Sequence, residues 1–265
     1  MEWNIKELKQ WIFGGCRISS TNNNILLSCC DSEIGNNVLS LNINSDRPRY
    51  DPRYVPKNKH IPEEIRQLVN LTNLTCAFNK IEYIPIEICQ LVKLTNFNCS
   101  HNKIGKIPIE ISQLVNLVYF NCDNNQITEI PKEIGQLANL KKFYCGVNQI
   151  TKIPNEMCQL VNLQVFDCNN NKITKIPKEF GQLVNLTNFN CSCNPITNLP
   201  KEIGQLVNLE YLDFSYNQIK NLPIEIRQLN NLKRISCHHN QITEIPKEIK
   251  ENKKLYIDSN LQFCR

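Results

Sequence analysis

Glycine is scarce in this chain, with 8 residues in 265. Neither G-x-x-x-x-G-K-[ST] nor G-x-G-x-x-G occurs, so the glycine-rich loops that cradle phosphates are excluded. No apolar run approaches the roughly 20 residues of a membrane-spanning helix. Near the start, Trp11-Ile12-Phe13 is too short for the apolar core of a secretory leader. Blocks of like charge are missing too. The net charge of +5 therefore points only weakly to nucleic acid or an anionic membrane, and neither is expected as a partner. Without an export signal the protein is expected to be intracellular, most simply cytoplasmic, with reduced cysteines. The N-x-[ST] sequons at Asn70, Asn73, Asn98, Asn185 and Asn190 are then expected to stay unglycosylated.

What is abundant is Asn, at 39 residues, and Cys, at 14. Both follow from an internal repeat. Prolines fall at 62, 85, 108, 131, 154, 177, 200, 223 and 246, each 23 residues after the last. Asn79, Asn102, Asn125, Asn148, Asn171, Asn194, Asn217 and Asn240 keep the same step, as do leucines from Leu71 to Leu232. A typical unit starts at Leu163 and runs through Phe166, Cys168, Asn171, Ile173, Ile176, Pro177, Glu179, Phe180 and Leu183. In general form it is L-x-x-[FL]-x-C-x-x-N-x-I-x-x-I-P-x-E-I-x-x-L-x-x.

This pattern resembles the leucine-rich repeat over roughly residues 62–255. It is most similar to the 23-residue class with Ile-Pro-x-Glu-Ile on the return side. The richness in Asn, Ile and Lys, with Cys in place of Leu, also resembles repeat proteins of mimivirus-like giant viruses. The resemblance implies an α/β repeat solenoid: a horseshoe arc with a concave parallel β-sheet and short convex helical turns of α or 3₁₀ type.

The residues support that fold without the name. Positions 4 and 6 of each unit are two apart, so in an extended segment they share a face. Position 4 holds Leu74, five phenylalanines from Phe97 to Phe189, Leu212 and Ile235; position 6 holds Cys in all units but one, where Phe214 stands. A single unit cannot bury this face, and stacking supplies the core. The periodic Asn has donors and an acceptor that can bridge backbone groups of its own turn and the adjacent coil. Ile or Leu before each Pro is driven to extended geometry. The Pro is expected at the first helical position, where no N–H is needed, and Glu two residues on sits near the positive end of the turn.

We divide the chain into residues 1–37, a non-repeat N-terminal cap with a short amphipathic helix; 38–61, a degenerate first repeat with a basic, proline-containing inserted loop; 62–254, about eight regular repeats; and 255–265, a short degenerate C-terminal cap. At the end, Leu255 holds the 23-residue register, which would put Asp258 and Asn260 where apolar groups belong.

The position-6 cysteines are expected to be packed thiols rather than metal ligands or disulfides. Cys193, at position 8, is the regular-unit thiol most open to reaction. His101 is six units from His238 and His239 and cannot share a ligand set with them. No metal site, cofactor or catalytic constellation is expected, and an enzyme would need a fused domain that about 60 non-repeat residues leave little room for.

The remaining feature is a surface. Outward positions 3, 5 and 7 of the strands change from unit to unit, whereas the return side keeps its residues. Tyr and Arg are favoured at interface hot spots. We therefore expect a non-enzymatic scaffold that binds a protein partner on the concave face, at Tyr119, Lys142, Tyr144, Asp167, Asn190, Tyr211, Asp213 and Arg234. The alternative is an adaptor whose first 60 residues recruit other machinery, such as a ubiquitin ligase, to a repeat-bound target. A monomer or a weak dimer through uncapped ends is expected.

Overall fold

The computed structural model describes residues 40–42, 59–251 and 255–259. The expected N-terminal helix, nearly all of the expected inserted loop and the last six residues of the chain lie outside the described residues. Ten strands of three residues form one parallel sheet in sequence order. They are β1 (Ser40–Asn42), β2 (Asn73–Thr75), β3 (Asn96–Asn98), β4 (Tyr119–Asn121), β5 (Lys142–Tyr144), β6 (Val165–Asp167), β7 (Asn188–Asn190), β8 (Tyr211–Asp213), β9 (Arg234–Ser236) and β10 (Tyr256–Asp258). From β2 to β9 each residue pairs with the one 23 positions later, so the period sets register as well as spacing.

The middle residue of each strand points inward and its two neighbours outward, as the alternation of a strand requires. Phe97, Phe120, Phe143, Phe166 and Phe189 are buried and stack at 5.5–5.8 Å between ring centroids. The position-6 cysteines lie buried beside them as free thiols. Where position 6 becomes Phe214, position 4 is Leu212, and both are fully buried.

Each unit returns through a five-residue 3₁₀ helix, from Glu63–Gln67 to Ile224–Gln228, and the last through a short α-helix, α1 (Lys247–Lys250). The expected place of Pro is off by one. It is the N-cap, with ψ of 148° at Pro62 and 136° at Pro223. Its carbonyl accepts the N–H three residues on, as in Ile65 N to Pro62 O at 3.1 Å. The fixed φ and missing N–H of Pro suit this position as well as the first helical one, and the extended ψ lets the buried Ile or Leu before it turn inward. At Gly181 a Cβ would stand 2.6 Å from the carbonyl oxygen of Glu202 in the next turn, so Gly permits the close approach.

Two ladders of asparagine hold the coils together. In the first, the Asn171 amide nitrogen reaches Cys145 O, Cys168 O and Asn169 O at 3.0–3.1 Å, and its Oδ1 accepts the N–H of Ile150 at 2.9 Å. The same pattern repeats at Asn102, Asn125, Asn148, Asn194, Asn217 and Asn240; Asn79 donates to Cys76 O and Ala77 O. These bonds satisfy a turn that is closed off from water. The second ladder was not foreseen from the sequence. Asn116, Asn139, Asn162, Asn185, Asn208 and Asn231 each donate to the carbonyl 24 residues earlier, at 2.8–2.9 Å.

The C-terminal register also departs from expectation. Ile257 pairs with Ile235 and Asp258 with Ser236, an offset of 22 rather than 23. One residue is dropped, so Ile257 rather than Asp258 takes the inward position. A one-residue shift exchanges the faces of a strand, and the penalty for burying a carboxylate decides which register wins. Asp258 thus joins the outer face.

Candidate protein-binding face

The outer face of the sheet is built by the residues that flank each buried middle residue. On its first column lie Tyr119, Lys142, Val165, Asn188, Tyr211, Arg234 and Tyr256; on the second, Asn121, Tyr144, Asp167, Asn190, Asp213, Ser236 and Asp258. All eight sequence-selected residues stand on these columns. They fall into two neighbouring groups: Tyr119, Lys142, Tyr144 and Asp167 on β4–β6, and Asn190, Tyr211, Asp213 and Arg234 on β7–β9.

The second column has a structural task that the sequence did not reveal. Oδ1 of Asn98, Asn121, Asp167, Asn190 and Asp213 accepts the backbone N–H two residues on, at 2.9–3.1 Å. This local turn closes the strand exit. The strand exit leads to a residue held at φ 50–58°, the left-handed region, in each of eight units, whether or not this bond is made: Phe78, His101, Asn124, Val147, Asn170, Cys193, Tyr216 and His239. The repeated Asn and Asp here are thus explained by the fold before any partner is invoked.

Tyr144 departs from this pattern. Its side chain cannot make that bond, and the N–H of Gly146 is taken instead by Asp123 of the preceding coil, at 2.6 Å. At Gly146 a Cβ would run into the Oδ1 of Asn169, so no larger residue fits without displacing its neighbour. Freed from capping, the Tyr144 ring lies 5.6 Å from that of Tyr119, whose hydroxyl accepts from Asn121 Nδ2 at 3.2 Å.

The carboxylates beside these rings are only partly exposed. Burial pushes Asp123 up to about 7, opposed by its bond from Gly146 and helped by Asp167. Asp167 is raised chiefly by burial, against bonds from Asn169 N and Asn190 Nδ2. The Tyr144 hydroxyl is raised by burial and by the nearby Tyr119, Asp167 and Asp123.

At the far end, Arg234 lies between two rings, 5.4 Å from the centroid of Tyr211 and 5.2 Å from that of Tyr256. Its guanidinium is 3.6 Å from Asp258, which is also 3.6 Å from His238. Tyr216 stacks on His239 at 4.3 Å and meets His238 edge-on. Sequence reasoning missed Asp123, Tyr256 and Asp258. The lone Asp among Ala, Ser, Gly, Asn and His at position 7 was a readable signal for the first; the shifted register hid the other two.

The cysteines behave as packing groups. Burial pushes Cys89, Cys158 and Cys237 up to about 12. It holds the fully enclosed ladder thiols well above their ordinary value. Cys193 is exposed, but partial burial and Asp213 raise it too, so it is no activated nucleophile. Among the described residues no group of three or more His, Cys, Asp or Glu is placed to hold a metal ion, and no helix is long and apolar enough to cross a membrane.

A family model described as leucine-rich repeats, in two copies, matches residues 115–156, 161–203 and 207–251. A leucine-rich repeat protein of Leptospira interrogans is 35% identical over 85% of this chain and 56% of its own, with a TM-score of 0.76. The chain folds as a leucine-rich repeat solenoid. The plant peptide hormone receptor RGFR1, solved in complex with RGF2, is 31% identical over 76% of this leucine-rich repeat chain and 38% of its own, with a TM-score of 0.66. The functional domain of InlJ from Listeria monocytogenes, described as including a cysteine ladder, is 25% identical over 83% of this chain and 53% of its own, with a TM-score of 0.64. The chain spans about half the length of these solved repeat proteins or less. Comparison with curated proteins gives no match.

Proposed function

We propose that this repeat protein is a non-enzymatic scaffold that binds a protein or peptide partner on the outer face of its sheet. The observation that carries this reading is Tyr144. Its unit gives up the local bond that closes the strand exit in five other units, recruits Asp123 and Gly146 to replace it, and gains an aromatic side chain on the open face. A departure from the repeat's own rule with no gain in packing is the kind of local cost that function explains. Tyr211 and Arg234 extend the same face, and aromatic and Arg side chains dominate binding energy where partners meet. A structural relative, RGFR1, was solved bound to RGF2, which fits the same use of the fold. We further place residues 62–254 in the 23-residue Ile-Pro-x-Glu-Ile class, akin in Asn and Cys content to the repeat proteins of giant viruses.

The test is retention of partners from lysate of the cells that carry the protein. Wild type is compared with Tyr119→Ala/Tyr144→Ala/Tyr211→Ala after both are shown to fold alike by circular dichroism. A protein held by wild type and lost by the variant supports the face. Equal retention by both removes the assignment.

A further inference from the structure

Asp167 and Asp213 carry charges that the fold does not need. In both, Oδ1 accepts the N–H two residues on, at 3.0 and 2.9 Å. Asn98, Asn121 and Asn190 make the same bond in the same slot with a neutral amide, at 2.9–3.1 Å. The turn therefore gains nothing from a carboxylate that Asn does not supply. Burial meanwhile works against the charge on Asp167 and on Asp123. Hydrogen bonds from Gly146 N, Asn169 N and Asn190 Nδ2 oppose it only in part, and among the described residues no Lys, Arg or His forms an ion pair with Asp123, Asp167 or Asp213. The chain as a whole is basic, at +5, so these three acids are not a reflection of general composition.

Their surroundings narrow what would offset it. Tyr144 and Asp167 are register partners on adjacent strands, and Tyr119 stands beside Tyr144. An open face that offers tyrosine rings next to carboxylates suits a flat cation, which can lie on the ring and donate to the oxygens at once. A single metal ion does not suit it. Asp167 and Asp213 are two strands apart, about 10 Å, too far for one ion with oxygens at about 2.4 Å. The stretch from β4 to β9 covers about 24 Å, the length of some seven extended residues.

Resting on the reading of this face as a docking surface, we propose that its occupant is an extended peptide segment carrying an arginine, whose guanidinium lies against Tyr144 and Tyr119 and pairs with Asp167 and Asp123.

The test uses the full chain, labelled, on immobilised 12-residue peptide pools that are random except for a central Arg, Lys, citrulline or Glu. Retention on the Arg pool is expected to exceed that on the citrulline and Glu pools by about tenfold, with Lys between them. Asp123→Asn/Asp167→Asn is expected to erase that margin. Asn keeps an Oδ1 acceptor at both positions, as Asn98 and Asn190 do in the slot of Asp167, so circular dichroism should match wild type. If all four pools are retained alike and Tyr119→Ala/Tyr144→Ala abolishes retention, the arginine proposal is overturned and the docking face stands. If retention ignores both the Asp and the Tyr variants, both readings fall. No retention on any pool also overturns the proposal.

Discussion

Asp123 Oδ1 accepts the N–H of Gly146 across neighbouring coils at 2.6 Å, because Tyr144 occupies the slot from which an Asn or Asp would otherwise take it. This pairing joins the fold's economy to its surface. In five units an Asn or Asp of the strand itself closes the strand exit, and here the closure is delegated to the coil before, which leaves an aromatic ring free to face outward.

The same pair makes stability depend on pH. Burial raises Asp123 to about 7 in the folded protein, against about 3.9 for an unfolded Asp. Below about 4 both states are protonated and the group is silent. As pH rises from there toward 7, the unfolded state releases its proton first, so folding loses stability over that window and then levels off. Asp167 acts in the same direction. Thermal unfolding is expected at a higher temperature at pH 5 than at pH 8, with the gap narrowed in Asp123→Asn. An equal gap in the variant would assign the effect to other groups.

Val147 is held at φ 51°, in the left-handed region, where a β-branched side chain is strained. In the units on either side Asn124 and Asn170 occupy that position, and Asn tolerates it. Val147→Asn is expected to raise stability by about 1 kcal/mol. The Val147 side chain is exposed, so little packing is lost. An unchanged or lower midpoint in urea would show that the backbone carries no such strain.

Among the described cysteines only Cys193 is exposed. Alkylation of the native protein, mapped by mass spectrometry, is expected to label Cys193, while Cys76, Cys89, Cys99, Cys122, Cys145, Cys158, Cys168, Cys191 and Cys237 react only after unfolding. Labelling of Cys89 or Cys158 under native conditions would mean that the return turns open locally.

The fold was legible because a 23-residue period writes the same instructions eight times, so that one ambiguous residue is outvoted by its counterparts. What escaped was whatever depends on a single copy. The register of β10 turns on one missing residue that a fixed period cannot see, and only the cost of burying Asp258 in place of Ile257 resolves it. The outer face was readable as a set of columns but not as chemistry. Asp167, Asn190 and Asp213 were selected for display, yet each also caps a backbone N–H, a bond invisible until the strand exit has a shape. Asp123 was passed over because its partner, Gly146, is 23 residues away.

The two asparagine ladders give the sharpest contrast in stability. Asn171 is 8% exposed and its side chain serves three carbonyls and the N–H of Ile150. Asn185, of the second ladder, is exposed and serves the single carbonyl of Val161 at 2.8 Å. Removing the first leaves several buried backbone groups without partners, each costing about 1–3 kcal/mol; removing the second hands one carbonyl back to water. Asn171→Ala is therefore expected to cost about 3 kcal/mol or more and Asn185→Ala about 1 kcal/mol or less, read from urea unfolding of each variant. Because neighbouring coils supply one another's stability, the loss at Asn171 should also appear as faster amide exchange at Ile150 in the coil before. Equal costs at the two sites would mean that water reaches the inner turn and that burial, rather than bond number, has been misjudged there.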